Sequence, residues 1–193
     1  GTSVTVTANP AANHTFSNWS GNLSGTNNPS SLSIVSAANI TANFNTLTLI
    51  ASEGFESGDW EGGTGWNGKW KNASNALNTT SGTPYAGTHH LQLKKTGSIQ
   101  RPINLFGYST ATLSFYWKIV ANNPGDQLYV DISNDGIIWT QLANLTTRNG
   151  SYVEESVAIP SLYLTATTQL RIRGTGNNNG DLFYIDNITI SGN

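Results

Sequence analysis

The chain has 193 residues, of which 10% are charged, and 9 Lys+Arg against 11 Asp+Glu leave a net charge of −2. No basic run exists to neutralise phosphates, which excludes a nucleic-acid surface. No apolar run is long enough to cross a bilayer, which excludes a helical membrane span. Cysteine and methionine are both absent, so disulfides, thiolate metal sites and a cysteine nucleophile are excluded too. With 24 Asn, 44 Ser+Thr and 20 Gly, the composition suits an extracellular, β-rich protein with a polar, uncharged surface.

Strand patterns follow one another along the chain: "SVTVTAN", "LSIVS", "NITANF", "LTLIA", "HHLQLKK", "ATLSFYWKIV", "DQLYVDIS", "YVEESVAI", "TQLRIRG" and "LFYIDNITIS". Each is short, rich in β-branched and aromatic residues, and bounded by Gly, Asn or Pro. No stretch of helical length carries a capped, helically periodic apolar pattern, so almost no helix is expected. The fold class is all-β, a sandwich or barrel. "ISNDGIIW" reads as a hairpin turning at Asp135-Gly136, with Asp135 a turn residue rather than a metal ligand. In "TLSFYWKIV", Leu113, Phe115 and Trp117 share one face, which sends Trp117 into the core. Nine Asn-X-Ser/Thr acceptor sites, at Asn13, Asn18, Asn22, Asn39, Asn72, Asn78, Asn144, Asn149 and Asn187, make the chain a candidate glycoprotein.

A boundary falls near Asn45–Leu49, giving a small module at 1–46 and a larger domain at 47–193. Before it the chain has Trp19 as its sole tryptophan and scarcely a charge; after it "LIASEGFESGDWEGG" brings the first acidic cluster. The first segment resembles the divergent Listeria–Bacteroides-type repeat of bacterial surface proteins. Thr7–Pro10, "TFSNWSG" at Thr15–Gly21, Asn28-Pro29 and "NITANF" at Asn39–Phe44 carry that likeness. The resemblance implies a stalk or spacer with Trp19 in its core. It also implies a truncated repeat, because such repeats usually carry another pair of strands before "SVTVTA". An open strand edge there invites pairing by another chain, hence a homo-oligomer or a neighbouring protein subunit as partner.

The larger domain is similar to the jelly-roll accessory domains related to MAM and cleaved-adhesin modules. The order "EGFESGDW … GW…W … SGTPYAGTHHLQL … INLFGYSTATLSFYWK … DQLYVDISNDGIIWTQL … LRIRGTGNNNGDLFYIDNITI" carries this likeness. It implies a jelly-roll β-sandwich, a structural calcium ion and, in some members, carbohydrate binding. It points to Glu56 and Asp186 as side-chain calcium ligands, because the first and last strands of a jelly roll run side by side. Asp59 follows as the next candidate, and Gly87 or Thr88 adds a backbone carbonyl. The loop suits a hard cation, with Gly54, Gly58, Gly62 and Gly63 letting carbonyls converge. The alternative for Asp186 is a carboxylate held by backbone amides or by a cation such as Arg101.

A catalytic role is not expected. His14, His89 and His90 accompany no Gly-X-Ser-X-Gly elbow and no metalloprotease histidine pair, and the carboxylates Glu53, Glu56, Asp59 and Glu61 crowd one loop. For ligand binding the informative stretch is Gly65–Lys71, "GWNGKWK". An extended segment would set Trp66 and Trp70 about 13 Å apart on one face at roughly 3.3 Å per residue, enough to stack two sugar rings. Asn67, Lys69, Lys71 and Asn72 would form the rim. Gly68 argues instead for a bulge or turn, and the expectation is then asymmetric: Trp70 buried, with Trp66 more exposed and the better candidate for touching a ligand. Trp60 and Tyr85 are further exposed aromatics. The sequence therefore reads as a secreted or cell-surface module for binding or adhesion, glycan-directed and calcium-stabilised. Its alternative is a structural subunit of a surface layer or filament assembled by strand exchange.

Overall fold

The computed structural model describes residues 1–11, 14–120, 123 and 125–193, without the side chains of 72 and 73. The acceptor site at Asn13 and the rim side chain of Asn72 thus lie outside the described residues. The chain divides into two compact units, Gly1–Thr48 with Asn193, and Leu49–Gly192.

The first unit has four strands: β1 (Thr2–Val6), β2 (His14–Gly21), β3 (Ser30–Ile34) and β4 (Ile40–Thr46). β1 pairs antiparallel with β3, and β2 with β4. Its core is small, with Ala8, Trp19 and Leu23 buried and Phe16 packed 5.1 Å from the Trp19 ring. The indole N–H of Trp19 donates to the Asn27 carbonyl at 2.8 Å, so its polar edge is satisfied inside the module. Asn28 braces the Thr7–Pro10 turn by exchanging two bonds with the Ala8 backbone.

The second unit holds β5 (Thr48–Glu53) from Leu49 onward, β6 (Lys71–Thr79), β7 (His90–Ile103), β8 (Ala111–Ile119), β9 (Leu128–Ser133), β10 (Thr140–Leu145), β11 (Val153–Ile159), β12 (Thr168–Gly174) and β13 (Leu182–Gly192). The expected all-β class holds, and the sole helical element among the described residues is one 3-10 turn, Ser161–Tyr163. The strands follow the order β10-β9-β12-β7-β13-β8-β11, with β5 beside β13 and β6 beside β7. β7 belongs to both layers of the sandwich. Its half before Lys95 pairs with β13, and its half from Ser98 onward pairs with β12. Between them Lys95 has a positive φ of 53°. Gly97 packs so tightly there that a Cβ would stand 2.4 Å from the Asn75 carbonyl oxygen. β6 follows this bend with two register shifts against β7.

Alternation does the rest. Leu113, Phe115, Trp117 and Ile119 of β8, Leu91, Leu93 and Ile99 of β7, Val130 and Ile132 of β9, and Leu170 and Ile172 of β12 point into one shared core. The expected burial of Trp117 is observed. β2, β6, β10 and the second half of β7 are absent from the strand patterns read off the sequence. "KNASNALNT" shows why: β6 is mostly Asn, Ser and Thr with broken register, so no apolar alternation marks it.

Candidate ligand-binding face

The tryptophan pair does not form a platform. Gly65–Trp70 is no strand: Gly65 and Gly68 have positive φ values of 79° and 148°, and Trp66 makes one isolated bridge with Ile103. The chain folds back on itself and brings the two ring centroids to 5.2 Å, far closer than an extended segment allows. Trp70 is 2% exposed and donates to the Glu53 carboxylate at 3.1 Å. Trp66 is half-buried and donates to the Ser52 carbonyl. The Arg101 guanidinium lies 5.1 Å from the Trp66 ring and 5.6 Å from the Trp70 ring. That guanidinium donates to Glu53, Gly62 and Gly68, so Arg101 serves Glu53 and not Asp186. Trp60 is half-buried, and its carbonyl accepts the Trp70 N–H. Asn67 and Lys69 are exposed; the Asn67 N–H donates to Pro102, and Lys69 stands 3.5 Å from Glu61. Trp66, Lys69, Glu61 and Arg101 line a cleft of about 420 Å³.

The three acidic candidates part company. Asp186 is fully buried on β13 and accepts N–H bonds from Tyr85, Ala86 and Asn187 at 2.8–3.1 Å. Burial pushes its carboxyl up to about 6, tempered by those amides. Glu56 accepts from the N–H groups of Thr88 and His89 and from the Thr88 hydroxyl. Burial pushes Glu56 up, but the amide bonds outweigh it and hold the carboxyl below its usual value. Glu56 and Asp186 therefore grip the same loop from two separate segments, and Gly87 permits it: a Cβ there would meet the Glu56 carboxylate at 2.4 Å. Asp59 instead bonds Ser57 and the Glu61 N–H within its own loop. Among the described residues no three Asp, Glu, His or Cys side chains converge as a metal cluster. Asp135 is the expected turn residue, accepting from Ile137 and Ile138. Four acceptor-site asparagines have side chains bonded within the fold: Asn18 donates to the Trp19 carbonyl, Asn22 accepts the Asn39 N–H, Asn78 donates to Phe55 and Asp59, and Asn149 bonds the Trp117 and Ile119 backbone.

A different surface gathers the chemistry. On the outer face of β6, β7, β12, β9 and β10, the register sets Lys71, Gln100, Arg171, Asp131 and Gln141 in one row across five strands. A parallel row beside it holds Ser74, Ser98, Arg173, Tyr129 and Asn144. At about 4.8 Å between strands each row spans about 19 Å. Asp131, 1% exposed, accepts from Arg171 at 2.8 and 3.0 Å and from Arg173 at 2.7 Å. Each arginine is also stacked, Arg171 over the Trp139 ring and Arg173 over the Tyr129 ring, both at 4.1 Å. Carboxylate and rings together fix two forked cations, still 24% and 33% exposed, on a polar sheet face. No apolar residue stands in either row apart from the Tyr129 ring.

The sequence contains a trace of this face. "LYVDIS" and "TQLRIRG" each alternate polar groups with apolar ones along the strand. What it does not contain is the pairing of β9 with β12, because β10, β11 and their loops separate Ser133 from Thr168.

Residues 1–48 match the family model of the divergent InlB B-repeat domain. No curated protein sequence matches the chain. Among solved structures, the chain's fold is similar to the xylan-binding domain CBM22-1 of Paenibacillus barcinonensis Xyn10C, at TM-score 0.53 and 16% identity over 74% of this chain and 93% of that one. The K1 cleaved adhesin domain of Lys-gingipain from Porphyromonas gingivalis W83 is similar at TM-score 0.54 and 17% identity, covering 77% and 99%. TmCBM61 in complex with β-1,4-galactotriose follows at 0.51 and 12%, covering 72% and 94%.

Proposed function

We propose that the chain is a non-catalytic, extracellular glycan-binding module, and that the outer face of the β6–β7–β12–β9–β10 layer is its ligand surface. The observation that carries this is the pair of cross-strand rows with Arg171 and Arg173 each locked between Asp131 and an aromatic ring. Preorganised donors lose little entropy on binding, and stacked rings accept the apolar face of a pyranose. Lys71, Arg171 and Arg173 face one carboxylate, so an anionic polysaccharide suits this surface best. Trp66, Asn67 and Lys69 extend it at one end, where the Asn67 N–H is bonded to Pro102 of β7. Affinity electrophoresis of the full chain through gels containing uronate-rich or neutral polysaccharides tests the reading. Retardation by the anionic polymers supports it; no retardation by any polymer, or retardation unchanged by Arg171→Ala with Arg173→Ala, overturns it.

Calcium belongs to the same proposal. Glu56 and Asp186 reach one loop from two separate segments, which brings two carboxylates to the same stretch of backbone. An ion would displace a donor from Glu56, whose two oxygens accept from Thr88 and His89, while Asp186 Oδ1 accepts one N–H and keeps a lone pair for it.

A second reading rests on the first unit. Among the described residues β1 is bonded to β3 alone, which leaves one edge for another chain. Size-exclusion chromatography over a hundredfold concentration range decides it: a constant monomer removes the strand-exchange subunit.

A further inference from the structure

The other layer of the larger unit has an unusual outer face. His90 and Gln92 of β7, Lys118 of β8, and Tyr184 and Asp186 of β13 point away from the core cluster, yet none is more than 6% exposed. A loop, residues 80–88, covers them, and each end of it is pinned by a side chain of the sandwich. The His90 ring bonds the Ser81 carbonyl at 2.7 Å, Lys118 Nζ donates to the Gly82 and Thr83 carbonyls, and Asp186 accepts from Tyr85 and Ala86. Glu56 holds the exit at Thr88 and His89. So many anchors fix one loop conformation in advance of any ligand.

Between this loop and the turn before β11 lies a recess of about 680 Å³, within the range of pockets for small organic ligands. Thr83, Tyr85, Lys118, Ser151, Tyr152 and Tyr184 line it. Tyr85 is 44% exposed, with one ring face stacked flat on Tyr116 at 3.6 Å and 11°. Tyr152 meets Tyr85 edge-on at 5.8 Å, and its hydroxyl is bonded to His90 at 2.5 Å. Lys118 Nζ sits 4.5 Å from the Tyr152 ring and 4.7 Å from the Tyr184 ring. Two of its three donors go to the loop carbonyls, which leaves a third for a ligand oxygen. Asp186 offsets the ammonium charge, so the recess has no unbalanced cation to attract an anion.

We propose that this recess is a second ligand site that takes a single neutral pyranose, such as the end unit of a glycan chain, stacked on Tyr85 and bonded through its hydroxyls to Lys118 and Ser151. It differs from the sheet face in being a recess between two loops and in charge preference. The inference does not depend on the sheet face binding anything.

Amide chemical-shift titration of the full chain, with the methyl β-glycosides of glucose, galactose, mannose and xylose and with methyl β-glucuronide, tests it. The expected result is shifts at Gly82–Ala86 and Gly150–Tyr152 with at least one neutral glycoside. Tyr85→Ala should weaken that binding about tenfold, while Arg171→Ala leaves it unchanged. Tyr85 is exposed, and an unperturbed spectrum elsewhere confirms that the variant is folded. Shifts confined to β9 and β12, no shifts at either segment, or preference for the glucuronide would overturn the proposal. Loss of polysaccharide binding at the sheet face with these shifts retained would refute the first site alone.

Discussion

Glu53 and Arg101, 48 residues apart, meet at 2.6 Å inside the sandwich with side chains 2% and 4% exposed. The pair is fully dressed: Glu53 also accepts the Phe55 N–H and the Trp70 indole, and Arg101 also donates to the Gly62 and Gly68 carbonyls. One ion pair thus closes the whole Glu53–Trp70 loop. Removing a single partner strands a buried charge, which costs about 3–5 kcal/mol. Arg101→Met should lower unfolding stability by that amount in urea titration. Arg101→Met with Glu53→Gln should recover part of the loss, because no uncompensated charge then remains. A double variant no more stable than the single one would contradict the ion-pair account.

The two arginines of β12 should separate binding from folding. Each single alanine variant leaves Asp131 its other arginine, so stability falls by only about 1 kcal/mol. Polysaccharide retention should fall about tenfold for each, the equivalent of about 1.4 kcal/mol. Tyr129→Ala should behave like Arg173→Ala, since it removes the ring that holds that guanidinium. Parallel losses of melting temperature and retention would reduce the face to a structural ladder.

Calcium is tested by differential melting in chelator and in millimolar calcium chloride. A site at Glu56 and Asp186 should raise stability by about 2.7 kcal/mol at a hundredfold excess over Kd, and Glu56→Gln should abolish the difference. Identical melting curves for the parent chain would remove the ion.

His90 sets a pH dependence. Burial holds its ring below the usual histidine value, so the fold favours the neutral form. Its folded value lies under its unfolded one, so its contribution is intact above about 6.5. It is lost as pH falls through the folded value. Asp186, raised to about 6, acts in the opposite sense. The difference between parent and His90→Gln isolates the histidine: the parent's denaturation midpoint should drop more between pH 7 and pH 5. Superimposable pH profiles would show that His90 is not the titrating group.

By itself the sequence determined the all-β class, the inward face of β8, the Asp135-Gly136 turn and the unequal burial of Trp66 and Trp70. All of these rest on local periodicity, or on glycine's freedom to turn the chain between two rings. Tertiary structure alone decided which carboxylate meets Arg101, that β7 serves two layers, and that Asp131 lies between Arg171 and Arg173. The reason is the same in each case. Strand order and register are set by long-range pairing, and in β9, β12 and β7 the partners are distant in the chain, so no window of sequence holds both halves of the row.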